Sequence, residues 1–125
     1  MDEGGVYGAI GEEGFSRLTG GFYAQVPADD ILGPMYHGSD LDAAERRLRD
    51  FLVFRFGGPV RYIEERGHPR LRLRHAPFPI DGAARDRWLA VMDRALDAAA
   101  LPPEAARVLR SFFRDTAAFL INRQS

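Results

Sequence analysis

The residues able to do chemistry are few. Among 125 residues there are three histidines, His37, His68 and His75, and no cysteine. Disulfides, thiolate metal sites and cysteine nucleophiles are thereby excluded. His37 and His68 fall in loop-like stretches, and neither an HExxH pattern nor a paired carboxylate–histidine spacing occurs. A multi-histidine metal centre is therefore poorly supported. His75 is different. It closes the run "RGHPRLRLRH" and is followed by Ala-Pro-Phe-Pro. Pro77 and Pro79 restrict the backbone just beyond it and so pre-orient its imidazole. The ordinary alternative is a capping or surface histidine.

The elements that must position His75 are helical. Leu71 and Leu73 alternate with Arg70, Arg72 and Arg74 as along an amphipathic strand. An isolated strand would have no partner here, so this stretch is expected to be extended linker or a short, distorted helix. "GEEGFSRLTGGFYAQVPAD" carries Phe15, Leu18, Phe22 and Val26 at steps of three or four. Gly20-Gly21 inside it predicts two short helices meeting at a corner. "DDILGPMYHGSD" reads as one helical turn broken by Gly33-Pro34, then a loop. "SDLDAAERRLRDFLVFRF" is the clearest helix, with Ser39 or Asp40 as cap. Leu41, Ala44, Leu48, Phe51, Leu52 and Phe56 line one face; Glu45, Arg46, Arg49 and Asp50 line the other. Gly57-Gly58-Pro59 ends it. A less regular connection runs to Pro79. Two further helices follow, one with Trp88, Leu89, Met92, Ala95 and Leu96 inward, the other starting at Pro103 with Val108, Leu109, Phe112, Phe113, Thr116, Phe119 and Leu120. The fold class is all-α, and the chain is expected to form one domain over residues 1–125.

All 17 basic residues are arginine, against 18 acidic ones, for a net charge of −1. That balance gives no pull towards nucleic acid or an anionic membrane. No apolar stretch approaches the ~20 residues a membrane span needs, and "MDEGGVYGAI" lacks a signal-peptide pattern. A soluble cytoplasmic protein is expected. The 9 Phe, 4 Tyr and one Trp lie on apolar faces. They could pack a dry core or line a flat apolar cofactor. One imidazole is enough to ligate a haem iron.

"FYAQV" (22–26), "ERRLRDFL" (45–52), "GGP" (57–59), "RGHPRLRLRHAPF" (66–78) and "RDRWLAVM" (85–92) together resemble the truncated haemoglobins, specifically group II. The resemblance runs from about Tyr7 to about Asn122 with the motifs in the expected order. It implies a globin-like two-over-two helical sandwich around one haem b, iron protoporphyrin IX. His75 matches the proximal iron ligand. Tyr23 and Tyr36 match distal donors, and Trp88 matches the tryptophan that marks the group, with its indole N–H towards the distal cavity. Ala44 falls where classical globins carry a distal histidine, with Leu48 one turn further along. Arg47 and Arg74 match basic positions that meet the propionates. Leu48, Phe51, Leu73, Phe78 and Met92 are the candidate contacts on the haem face. In that family paired glycines are usual near the N-terminus, whereas here Gly11 is followed by Glu12, which implies a different course for the first helix. The end of the long helix reads Phe54-Arg55-Phe56, a second departure.

Each assignment has an ordinary alternative. Tyr23 and Trp88 could be buried core aromatics, and Arg47 a solvated surface arginine. Functionally, the resemblance implies reversible binding of O2, NO and CO, with oxidative chemistry on bound O2, either NO detoxification or peroxidase-like turnover. An external electron donor is then required. The alternatives are non-enzymatic O2 storage, transport or gas sensing, and a haem-free helical interaction module. Oligomeric state is open, a homodimer included. The Gly- and Pro-broken 57–79 connection is expected to be loosely folded without haem.

Overall fold

In the computed structural model, which describes residues 1–76 and 78–122, every regular element is helical. After a 3-10 turn at Glu3–Gly5, α1 spans Val6–Gln25. Its apolar residues Phe15, Leu18 and Phe22 are wholly closed to solvent. The expected corner at Gly20-Gly21 does not form, and helical backbone runs through both glycines. The break lies instead at Gly11, at φ 65° and ψ −175°, a conformation that costs glycine alone little. Gly20 has no neighbour within reach of a Cβ, and Gly21 is in ordinary van der Waals range of Ala95, so neither forces a bend. The altered course expected near Gly11 is therefore a kink inside α1.

A 3-10 turn at Val26–Ala28 leads to α2 (Leu32–Met35), a single turn that contains Gly33 and Pro34 instead of being broken by them. Asp29 starts it, its Oδ1 accepting from the N–H groups of Ile31 (2.9 Å) and Leu32 (2.8 Å). Asp40 caps α3 (Leu41–Arg55) by accepting from the Ala43 N–H at 3.1 Å. Gly57 turns away at φ 98°, and a Cβ there would sit 2.5 Å from the Gly4 carbonyl oxygen, so only glycine fits that close approach.

The connection to residue 80 holds two short helices, α4 (Arg61–Arg66) and α5 (Leu71–His75). The Arg-Leu alternation is thus a short helix. Arg70, the residue before it, is held left-handed at φ 44°, ψ 53°, a strained state for a residue with a Cβ. Pro77, one of the two prolines expected to brace His75, lies outside the described residues.

Asp81 caps α6 (Gly82–Ala98) through the Ala84 N–H at 2.8 Å, and α7 spans Pro103–Phe119. Ala105, Leu109 and Phe113 recur every fourth residue on its buried face. The α1–α3 pair packs on the α6–α7 pair, chiefly through α1 against α6, which is a two-over-two sandwich. Between its layers lie Phe15, Leu18, Phe22, Leu52, Val53, Phe56, Val91, Met92, Leu96 and Leu109.

One polar residue departs from the expected helix faces. Asp50, assigned by spacing to the solvated side of α3, is only 9% exposed and pairs with Arg61 at 3.3 Å. Arg61 also holds Glu12 at 2.6 Å, so α4 bridges back to α1 and covers the carboxylate. A second polar seam ties α1 to α3. The hydroxyl of Thr19, fully buried, accompanies the Phe15 carbonyl at 3.0 Å and the Glu45 carboxylate, which Arg49 holds at 3.1 Å.

Candidate haem site

The candidate residues fall into two groups on different parts of the fold. The first is aromatic. Tyr23 on α1 meets Tyr36, just past α2, edge-on, with ring centroids 5.7 Å apart at 88°. Phe22 packs its ring 5.0 Å from Tyr23 and 5.1 Å from Trp88 of α6. Trp88 leans in turn on Phe113 of α7 at 5.5 Å. The structure therefore brings Tyr23, Tyr36 and Trp88 together, as the sequence led one to expect. Phe22 is the residue that sequence reasoning missed here. It is fully buried and forms the spacer between Tyr23 and Trp88.

The polar ends of these rings are linked. Tyr23 donates to the Tyr36 oxygen, and the Trp88 indole N–H points at the same oxygen. Burial raises the pKa of both phenols above the ordinary tyrosine value. For Tyr23 the neighbouring Tyr36 adds to the rise; for Tyr36 the hydrogen bonds from Tyr23 and Trp88 oppose it. The positive charge of Arg47 pulls both phenols downward, and Glu45 nudges Tyr23 upward. Burial wins, so both phenols keep their protons at neutral pH and serve as donors. Arg47 itself is exposed on the flank of α3, near enough to the two phenols for its charge to matter.

Asp29 and Arg87 hold the donor group in register. Arg87, beside Trp88, reaches Asp29 at 3.1 Å and also pairs with Asp30. Asp29 thus joins the turn before Tyr36 to the helix of Trp88. Its two backbone donors at Leu32 and Ile31, with Arg87, hold its carboxyl below the usual carboxylate range against the opposing effect of burial. No sequence signal marked this residue beyond its place before a helical turn, where Asp is an ordinary cap.

The second group centres on His75. His75 ends α5, and its Nδ1 lies 2.7 Å from the Leu71 carbonyl oxygen. That contact is a hydrogen bond only if Nδ1 carries the proton, which leaves the Nε2 lone pair free. A neutral imidazole with Nδ1–H donated to a backbone carbonyl is the arrangement a metal-ligating histidine needs. The residues present therefore fit a haem iron.

The remaining candidates divide. Leu48 is partly buried, Ala44 is 6% exposed and Phe51 8%, and all three lie along one side of α3. Met92 is completely enclosed in the core. Phe78 is 46% exposed, with its ring 6.5 Å from that of His75. Leu73 is 66% exposed. Two residues before His75 on a helix, it lies on the opposite side of the turn, so the fold does not bring it to the imidazole. Leu71, four residues before His75 and packed against the core, shares that face and was missed.

Arg74 is engaged elsewhere. Its Nε donates to the Pro69 carbonyl at 2.7 Å, and its Nη2 to those of Arg66 at 2.6 Å and His68 at 3.1 Å. Its guanidinium also lies over the Tyr62 ring at 5.8 Å. In this structure it staples the α4–α5 loop. Among the described residues no cluster of three His, Cys, Asp or Glu could hold a bare metal ion, and no helix is long and apolar enough to cross a membrane.

The sequence profile of the bacterial-like globin family matches residues 5–122. The chain is 41% identical over 117 residues to group 2 truncated hemoglobin YjbI of Bacillus subtilis (strain 168), covering 94% of this chain and 88% of that protein. This chain belongs to the group 2 truncated haemoglobins. Its fold agrees with solved structures of that kind. A thermostable hemoglobin from the actinobacterium Thermobifida fusca superposes with a TM-score of 0.89 at 47% identity, covering 94% of this chain and 96% of that one. The truncated oxygen-avid haemoglobin from Bacillus subtilis gives 0.89 at 40% identity, with coverage of 94% and 98%. Membership in this globin family implies a haem cofactor and the binding of diatomic gases, oxygen among them.

Proposed function

We propose that this truncated haemoglobin holds one haem b between α3 and the α5 segment, with His75 Nε2 as the iron ligand. Bound there, haem supplies an iron with one open position for O2, NO or CO. The observations that carry the reading are the convergence of Tyr23, Tyr36 and Trp88 and a histidine whose Nδ1 is already committed. Because the Tyr36 oxygen accepts from both other residues, its own proton is the one left for a ligand in the distal space. Tyr23 and Trp88 then orient Tyr36, and Trp88 also walls the cavity. Ala44, Leu48, Leu71, Phe51 and Phe78 supply the apolar face, and Met92 backs it from the core. Arg47 is the propionate partner; Arg74 keeps one guanidinium nitrogen, Nη1, for that purpose. A single core shared by α1, α2, α3, α6 and α7 supports one domain over the whole chain.

A hydrogen bond to a partly charged ligand in a water-poor pocket contributes about 1–3 kcal/mol, or roughly 5- to 150-fold in release rate. An oriented Tyr36 donor therefore favours slow O2 release, in keeping with the oxygen avidity of the Bacillus subtilis relative. Slow release suits a reaction with a second molecule better than transport. The preferred reading is oxidative chemistry, NO detoxification first and peroxidase-like turnover second, in the cytoplasm with an external electron donor. Storage or sensing is the second reading, and a homodimer is compatible with either. Stopped-flow mixing of the oxygenated protein with NO tests the choice. Nitrate and ferric protein formed in one fast step support the oxidative reading; oxygenated protein that persists in the presence of NO removes it.

A further inference from the structure

The residues that follow His75 are anchored by one side chain from the far end of the chain. Asn122 lies just beyond α7, which ends at Phe119. Its Oδ1 accepts from the Ile80 N–H at 2.9 Å, and its Nδ2 donates to the carbonyls of Phe78 at 3.0 Å and His75 at 3.3 Å. Its own backbone N–H donates to the Ile80 carbonyl at 2.8 Å. A single residue thus holds the backbone of His75, Phe78 and Ile80. One of the groups held is the carbonyl of the proposed iron ligand itself.

The segment has little else to fix it. α5 is five residues long and contains no buried residue. A helix of one turn has no stability of its own. Among the described residues its other ties are the Leu71–His75 contact, the staple made by Arg74, the packing of Leu71 on the core and the Arg72 guanidinium 5.0 Å over the Phe119 ring of α7. All lie on the N-terminal side of the imidazole. On the C-terminal side the Phe78 N–H to His75 carbonyl turn at 2.9 Å is local and moves with the segment. Asn122 is what refers that turn to the α6–α7 layer.

The geometry points to Asn122 as a positioning residue for His75: through the 75 and 78 carbonyls it sets the height and tilt of the imidazole against the iron. The inference rests on His75 being the iron ligand. Asn122 acts on His75 through the backbone carbonyls it holds. Substitution should leave the helices intact, because Asn122 follows the last one.

The variants Asn122→Ala and Asn122→Asp separate its parts. Aspartate keeps an acceptor for the Ile80 N–H and loses both amide donors, whereas alanine loses all three side-chain bonds. The first readout is the iron–imidazole stretching band of the ferrous, ligand-free protein by resonance Raman spectroscopy. The second is the rate of hemin transfer to an acceptor globin. The third is amide exchange at Ile80 in haem-free protein. The band should shift and broaden in both variants, and hemin transfer should quicken roughly five- to thirtyfold in Asn122→Ala, the loss of two or three ordinary hydrogen bonds. Ile80 exchange should rise in Asn122→Ala more than in Asn122→Asp. An unmoved band with unmoved hemin transfer overturns the inference, even if Ile80 exchange rises, because the role is then structural only. Absence of any iron–imidazole band in the unsubstituted protein instead overturns the assignment of His75.

Discussion

Tyr23 and Trp88 project from helices whose neighbouring residues Phe22, Val91 and Met92 are fully closed to solvent, whereas over residues 61–76, which carry His75, only Tyr62 is buried. The donors proposed to face a bound gas are therefore set against the packed core. His75, the proposed metal ligand, sits on a segment held by hydrogen bonds: Arg74 to three loop carbonyls, Nδ1 of His75 to Leu71, Asn122 to the turn beyond. A cofactor with a large apolar face would supply the burial this segment lacks. The donors need a fixed direction to discriminate a bound gas, and dense packing gives it. The ligand side must admit a large planar group, and a lightly packed segment can do so.

Removing packing should hurt the two sides very differently. Phe22→Ala takes a fully buried ring from between Tyr23 and Trp88 and should cost about 3–5 kcal/mol of stability, measured by denaturant unfolding. Tyr36→Phe should quicken O2 dissociation by roughly 5- to 150-fold with little change in stability. Tyr23→Phe should do less, because it acts on the ligand through Tyr36; equal effects of the two would end the distinction between direct donor and orienter. In haem-free protein, amide exchange over residues 61–76 should be fast and should slow sharply on hemin addition, while α6 and α7 stay protected in both states. Equal protection of the two regions without haem would erase the contrast.

Alkaline pH probes the donor side alone. Burial lifts the Tyr23 and Tyr36 phenols above the value they have in the unfolded chain. Above about pH 10 the unfolded state loses these protons while the folded state keeps them, so stability falls as pH rises past that point and is untouched by them below it. Chemical denaturation against pH should show this fall, and the Tyr23→Phe, Tyr36→Phe pair should flatten it. The smallest effect belongs to the exposed side of α5, where Leu73→Ser should change stability by no more than about 0.5 kcal/mol and leave hemin affinity unaltered.

Much of this arrangement was legible in residue order. The period of α3, α6 and α7 and the cap at Asp40 declare an all-helical chain, and the motifs around Tyr23, His75 and Trp88 declare the family. What escaped did so for definite reasons. Gly20-Gly21 signals a corner by propensity, but the packing of α1 on α6 overrides a cost of about 1 kcal/mol per glycine. Asp50 looks solvent-facing by helical spacing, and its burial depends on Arg61 from another helix. Leu73 is 66% exposed whereas Leu71 packs on the core, a difference set by tertiary contacts and not by the local pattern. The bonds of Arg74 to its own loop carbonyls depend on the left-handed turn at Arg70, which no residue type there announces. Asn122 acts across 47 residues of sequence, a distance over which no local pattern signals a contact.

Hemin titration of the haem-free protein followed by its absorption spectrum, with His75→Ala alongside and free imidazole added back, addresses the central claim most directly. The unsubstituted protein should take up one hemin with a sharp Soret band; His75→Ala should bind weakly with an altered ferrous spectrum, restored in part by imidazole. Equal uptake and identical ferrous spectra for the two proteins would show that His75 is not the iron ligand.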